Sequence, residues 1–318
     1  MPVMSSVTEA AFVETKQHRR FQEFCDACRR YRYIGLCYGP PGVGKTLSAR
    51  HYANWETIER YRSDAPNGPV TLEQVKGSAV VLYTPPVVVT SPGRLPNDIE
   101  RLRDKLRGFC LDEIRREERP LLESANREVD ALYEYHRRTG LNGFDVPPEE
   151  VARRQNKWRR IFERMSGREH ALPDPTALIL IDEADRLKMT GLEQMRAIFD
   201  QGGIGMVLIG MPGLEKQLAR YPQLYSRIGF VHEFKPLSHE EVRQLLQERW
   251  WPALASMPDG GIADEESIAA IIRITGGNFR LLHRLLTQIG RVLEINKLEK
   301  VKLPVVEAAR ESLVIGTE

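Results

Sequence analysis

The 318-residue chain has no apolar run long enough to span a bilayer and only four cysteines. The N-terminal Met1-Pro2-Val3-Met4-Ser5-Ser6-Val7 is not followed by the apolar segment of a signal peptide. Together these features make the cytoplasm the default expectation, to which the sparse cysteines add weak support. The chain has little net charge, +2 from 46 basic and 44 acidic residues, which excludes a global polycation. Any surface for nucleic acid must therefore be local. No internal repeat or low-complexity tract is present. Cys25-Asp26-Ala27-Cys28 has no second Cys pair to complete a zinc site, and its surroundings read as one apolar helix face, so packed thiols are expected.

What the chain does have is Gly39-Pro40-Pro41-Gly42-Val43-Gly44-Lys45-Thr46, a complete G-x-x-x-x-G-K-[ST] loop. Its glycines let successive N–H groups turn inward and cradle phosphates, Lys45 reaches the β- and γ-phosphates, and Thr46 offers a hydroxyl to Mg²⁺. Leu47 completes the predicted binding stretch. The flanks support this: Tyr33–Tyr38 suits a buried strand, and Leu47–Ala53 can open a helix, expected to run to about Arg60, whose N-terminus favours phosphate. A second apolar run, Ala177–Ile181, ends in Asp182-Glu183 and reads as a strand buried on both faces. At the C-terminal end of such a strand, Asp182 is placed to hold Mg²⁺ through water and Glu183 to orient or deprotonate the attacking water. Asp185 suits a helix N-cap. The string Asp182-Glu183-Ala184-Asp185 also occurs in RNA helicases, but no other motif of those enzymes is evident.

Along the chain, residues 8–32 read as helix, and strands are expected at 78–84, 205–210 and 230–234 with helices between them, implying a parallel sheet. From about 92 to 170 the pattern changes to two or three charged helices, punctuated by Pro120 and Pro147-Pro148. Beyond Ser238 the chain is all helix, opened by the capping signal Ser238-His239-Glu240-Glu241.

This order of parts resembles an AAA+ ATPase: an N-terminal helical segment (1–32), an α/β P-loop core with a parallel five-stranded sheet (33–236) carrying a charged helical insertion (about 92–170), and a C-terminal helical lid (237–318). The resemblance implies ATP and Mg²⁺ as ligands and slow hydrolysis, stimulated by DNA or a partner. It also implies an arginine finger at Arg227 and a sensor 2 residue at Arg280, within Gly277-Asn278-Phe279-Arg280. Arg280 sits at a helix N-terminus, where a cation is disfavoured unless a triphosphate compensates; Arg227 could instead pair with a local carboxylate. The polar sensor 1 residue is missing, since Gly210-Met211-Pro212 occupies its place. Phe12–Phe21 and Leu208–Leu218 further resemble the transposition-regulator group (TniB, TnsC, MuB). That likeness implies a homo-oligomeric ring or filament on duplex DNA that directs a transposase, with a target-selection protein as a further partner. Basic residues in the insertion, or near Arg94 and Lys188, are the candidate phosphate contacts. A protein-directed adaptor of secretion or signalling type and a replication helicase loader share the nucleotide motifs.

Overall fold

The computed structural model describes residues 12–65, 68–87, 94–139, 148–248 and 264–313. The chain divides into two compact units. The first gathers residues 1–52, 82–92 and 178–318, and the second 53–81 and 93–177.

Five strands form one sheet: β1 (Ile34–Tyr38), β2 (Val80–Tyr83), β3 (Leu178–Ile181), β4 (Gly205–Gly210) and β5 (Ile228–Glu233), in the order β2-β3-β4-β1-β5. β1 is parallel to β4 and β5, and β3 to β4. The middle of the sheet has no polar side chain to expose: Leu178–Ile181 and Met206–Ile209 are wholly buried, as unbroken apolar runs in a parallel sheet must be. Register carries the function. Tyr38 faces Gly210, and Ile181 faces Leu208. The segments leaving β1, β3 and β4 therefore emerge at one edge, the C-terminal edge where open α/β sheets hold ligands.

Around the first unit's strands pack α1 (Lys16–Tyr31), α2 (Lys45–Tyr52), α7 (Met189–Asp200), α8 (Leu214–Leu218) and α9 (Pro222–Tyr225). α1 starts at Lys16, capped by the Thr15 hydroxyl, which accepts from His18 N–H; residues 8–11 of the expected helix lie outside the described residues. Phe21, Cys25 and Cys28 on α1 are fully buried. Burial pushes the Cys28 thiol up to about 12 and raises the Cys25 thiol well above its ordinary value, so both are neutral packing groups. The chain ends in four described lid helices: α10 (His239–Gln247), α11 (Glu265–Thr275), α12 (Phe279–Asn296) and α13 (Leu303–Glu311). They share a Leu/Ile/Val core in which Val242, Ile271, Leu282, Leu285, Ile289 and Val306 are inaccessible or nearly so. Ser238 and Glu241 form the expected capping box of α10. Two contacts tie the lid to the N-terminal segment: Val13 packs on the lid core, and Lys16 N–H donates to Glu241 Oε1 at 3.1 Å.

The second unit contains α3 (Trp55–Arg60), α4 (Leu72–Val75), α5 (Arg94–Thr139) and α6 (Pro148–His170). Sequence punctuation at Pro120 suggests a helix break, yet α5 runs through it for 46 residues. The charged region is therefore two helices. They lie antiparallel, because partners advance on one as they retreat on the other: Arg115 with Glu169, Glu118 with Arg164 and Arg168, Glu128 with Lys157. Glu118, beside Pro120, is only 5% exposed at its side chain and receives both guanidiniums. Hydrogen bonds from Arg164 and then Arg168 hold its carboxyl below the usual range against the cost of burial. Packing on both sides of the proline thus compensates for the helix hydrogen bond it cannot make.

Candidate nucleotide site

A cleft of ≈ 440 Å³ opens at the C-terminal sheet edge within the first unit. The loop after β1 forms its floor. Gly42 has φ of +80° and Gly44 of +104°, conformations that L side chains rarely adopt. Gly42 is constrained twice, because a Cβ there would lie 2.5 Å from Asn278 Oδ1 and 2.9 Å from Arg280 Cβ. Lys45 begins α2, and its Nζ donates to Gly39 O at 2.6 Å and Pro40 O at 2.8 Å. Burial lowers the Lys45 pKa, opposed by the nearby carboxylates of Asp182 and Asp185 and reinforced by Arg280. Pro41, Thr46 and Leu47 line the cleft. Val43 is buried beneath it.

Asp182 and Glu183 leave β3 into the same cleft. Asp182 is 3% exposed, and its carboxylate accepts from Glu183 N–H at 3.0 Å. Glu183 itself has φ of +52°. A left-handed non-glycine residue costs roughly 1 kcal/mol or more and is commonly found where a site demands it. This turn separates the two acids: one remains buried and the other turns outward, where it pairs with Arg186. Arg186 also donates to Pro85 O, just beyond β2, at 3.1 Å.

The lid supplies the remaining wall. Asn278 caps α12, accepting from Arg280 N–H and Leu281 N–H at 3.1 and 3.2 Å, and its amide donates to Pro41 O at 2.8 Å. Arg280 N–H also donates to Gly42 O at 3.0 Å. Backbone and cap thus fasten the first turn of α12 directly to the phosphate loop. This explains how a helix can place the Arg280 cation at its unfavourable N-terminal end.

Residues 28–218 match the AAA domain family. The chain belongs to this family. It is 41% identical over 308 residues to a "Potential ATP-binding protein" of Staphylococcus aureus, covering 96% of this chain and 97% of that one. It is 27% identical over 285 residues to the Mu-like prophage FluMu DNA transposition protein B of Haemophilus influenzae, covering 87% and 71%. Among solved structures it resembles Thermotoga maritima RuvB, a Holliday junction branch migration motor. The TM-score is 0.50 at 15% identity, over 94% of this chain and 70% of that one. The shared fold is the AAA+ P-loop fold, and the AAA domain with its ATP-binding relative makes this chain an ATPase.

Of the residues expected at the site, Lys45, Thr46, Asp182, Glu183 and Arg280 meet in the cleft of this AAA+ ATPase; Arg227 does not. Arg227 forms a two-pronged ion pair with Asp200 (2.6 and 2.9 Å) and also bonds to Gln223 O. Among the groups that escaped the sequence reading as parts of the site, three bear on its geometry. Asn278 is one. Arg284, one turn beyond Arg280, is another; its i+4 spacing was the available signal. The third, Asp185, sits at the place left empty by the missing sensor 1 residue. Its Oδ1 accepts from Met211 N–H at 3.1 Å, and a Cβ on Gly210 would lie 2.7 Å from that oxygen. The run of acids after β3 was visible in sequence, but the pairing to the end of β4 was not. Asp185→Ala removes the acceptor that fixes this end of the cleft. It is expected to lower kcat by roughly 10- to 100-fold, because small misplacements of reacting groups are costly. Steady-state phosphate release, set against unchanged nucleotide affinity, checks it.

Proposed function

We propose that this AAA+ ATPase binds Mg·ATP in the cleft, assembles on duplex DNA in that state and directs a transposase to the target. The convergence of Lys45, Asp182, Glu183 and Arg280 on one cleft carries the nucleotide part. The donors offered to a divalent ion are a hydroxyl, Thr46, and a buried carboxylate, Asp182. Such hard oxygen ligands suit Mg²⁺, which usually keeps several waters. When bound, the ion would neutralise charge on the β- and γ-phosphate oxygens. Lys45 exchanges its loop carbonyls for phosphate oxygens. Arg280 faces the same anion from the lid, and Glu183 takes the proton of the attacking water. For that, its carboxylate must leave Arg186.

The DNA and transposase part is supported by similarity to the Haemophilus DNA transposition protein B. Arg227, on the turn between α9 and β5, is the arginine we assign to a neighbouring subunit's nucleotide. In that assembly, its exchange of Asp200 for a γ-phosphate couples nucleotide state to association. Arg227→Ala and Lys45→Ala are each expected to lose ATP turnover by about 10³-fold or more. Mixed together, they should recover a measurable fraction, since some shared sites then carry both intact residues. Recovery absent at every mixing ratio would sink the trans assignment.

Electron microscopy of the protein with duplex DNA, with and without a non-hydrolysable ATP analogue, tests the whole reading. Nucleotide-dependent rings or filaments on DNA are expected. Rings that ignore DNA would point to a protein-directed adaptor, and a DNA-bound spiral that recruits a helicase rather than a transposase would point to a loader.

A further inference from the structure

The α5–α6 hairpin is not uniform in charge. In the region of Glu117 and Glu118 cations meet carboxylates across the hairpin: Arg164 and Arg168 bind Glu118, and Arg168 also binds Glu117. Farther along the hairpin, the described lining of one groove is mostly basic. An open groove of ≈ 650 Å³ between the two helices is lined by Arg127 on α5 and by Arg153, Arg154 and Lys157 on α6, with Glu128 as the one carboxylate among its lining residues. Lys157 already neutralises Glu128 at 2.5 Å, and Arg154 donates to the Glu128 carbonyl at 2.6 Å. Arg127, and Arg159 and Arg160 farther along α6, have no carboxylate in ion-pair distance among the described residues, and all three are exposed. The stretch Arg153–Arg160 contains five cations and no acid. Trp158 and Phe162 stack at 5.1 Å beside it, with Phe162 43% exposed.

A face kept only for solubility would intersperse both signs, as the neighbouring stretch of the hairpin does. We infer that the α5–α6 groove binds the phosphodiester backbone of duplex DNA, an inference that rests on the DNA-directed reading above. Arg153, Lys157 and Arg160 follow i, i+4, i+7 spacing on one helix face. At a rise of 1.5 Å per residue they span ~10 Å, about three phosphate-to-phosphate steps of one strand along the duplex axis. Arginine predominates, and its planar fork matches paired phosphate oxygens. Contacts of this kind position the protein without reading bases. Arg94, by contrast, pairs with Asp98 at 3.4 Å, which leaves the groove as the stronger candidate.

The test uses full-length protein, a mixed-sequence duplex and a non-hydrolysable ATP analogue, with anisotropy followed across a salt titration. The triple variant Arg127→Gln, Arg153→Gln, Arg160→Gln leaves the Lys157–Glu128 pair in place. It is expected to weaken binding by roughly 10- to 1000-fold and to flatten the slope of log K against log salt by about 3, with ATP turnover in the absence of DNA unchanged. Glu128→Gln, which releases Lys157, should act in the opposite direction and tighten binding several-fold, a gain that misfolding cannot mimic. Parent and variants binding with one affinity and one slope would overturn the groove assignment while leaving DNA binding intact. If the parent hydrolyses ATP but binds no duplex, the DNA reading itself fails, and the groove assignment with it. Poly-L-glutamate bound by that parent and released by the triple variant would then assign the groove to an acidic protein.

Discussion

Glu183→Gln is expected to lower ATP turnover by roughly 10²- to 10⁴-fold, the usual contribution of a positioned general base, while ATP binding survives. The substitution is nearly isosteric. The left-handed backbone of Glu183 is set by the turn between β3 and the 3-10 segment Ala184–Arg186, not by its side chain, so the amide should occupy the same place. What changes is charge. A carboxylamide cannot take a proton from water, and it cannot make the ion pair that now joins Glu183 to Arg186. Lys45, Asp182 and Arg280, to which the proposal assigns nucleotide affinity, are untouched. Titration of a fluorescent ATP analogue should therefore give a Kd within a few-fold of the parent, whereas single-turnover hydrolysis should be nearly silent. In the proposed assembly the variant should accumulate as nucleotide-bound oligomer on DNA. A variant that stays monomeric with ATP and DNA present would separate the chemistry, which could still be right, from the assembly, which would not.

The phosphate loop, the acid pair and the buried strands were legible in sequence because each is local. A glycine spacing, a run of apolar residues and a following carboxylate carry their own geometry. The turn at Gly277 and the helix that follows it were legible for the same reason. The parts that were not legible depend on distant partners. Arg227 meets a carboxylate 27 positions earlier, and nothing near Arg227 in sequence indicates which acid that is. Asp185 closes the end of β4 across 26 positions, so the missing sensor residue looked like a gap when read strand by strand. Pro120 looked like a helix end by local preference, but α6 packs along α5 on both sides of it and the helix continues. In each case tertiary contact overrode a local rule. Some boundaries moved for backbone reasons: the expected helix after the phosphate loop breaks at Asn54, whose φ of +51° ends one segment and opens α3.

Adjacent glycines between α11 and α12 of the lid provide the second large effect. Gly276 and Gly277 both have positive φ, +53° and +74°, and in sequence both read as the same turn. Their surroundings differ. A Cβ on Gly276 would meet nothing within 4 Å, whereas a Cβ on Gly277 would lie 2.0 Å from the carbonyl oxygen of Leu237 and 2.9 Å from its carbonyl carbon. Backbone cannot rotate out of the way as a side chain can. Moreover, Leu237 N–H donates to Gly277 O at 2.9 Å, so displacement breaks a hydrogen bond next to the α10 cap. Gly276→Ala should therefore cost only the left-handed conformation, about 1 kcal/mol. Gly277→Ala adds overpacking of about 1–3 kcal/mol, and at ~2–4 °C per kcal/mol for a unit of this size should lower Tm by roughly 4–16 °C. The loss reaches the site. Gly277 immediately precedes Asn278, which is bonded to Pro41 O, and Arg280, whose N–H is bonded to Gly42 O. Shifting that turn withdraws both lid contacts from the phosphate loop, so nucleotide affinity should fall together with Tm in Gly277→Ala and stay near the parent value in Gly276→Ala. Calorimetric melting and nucleotide titration on the two variants side by side measure both effects. Equal costs at the two positions would mean that the turn yields to crowding and that the lid is not held to the phosphate loop by this backbone contact.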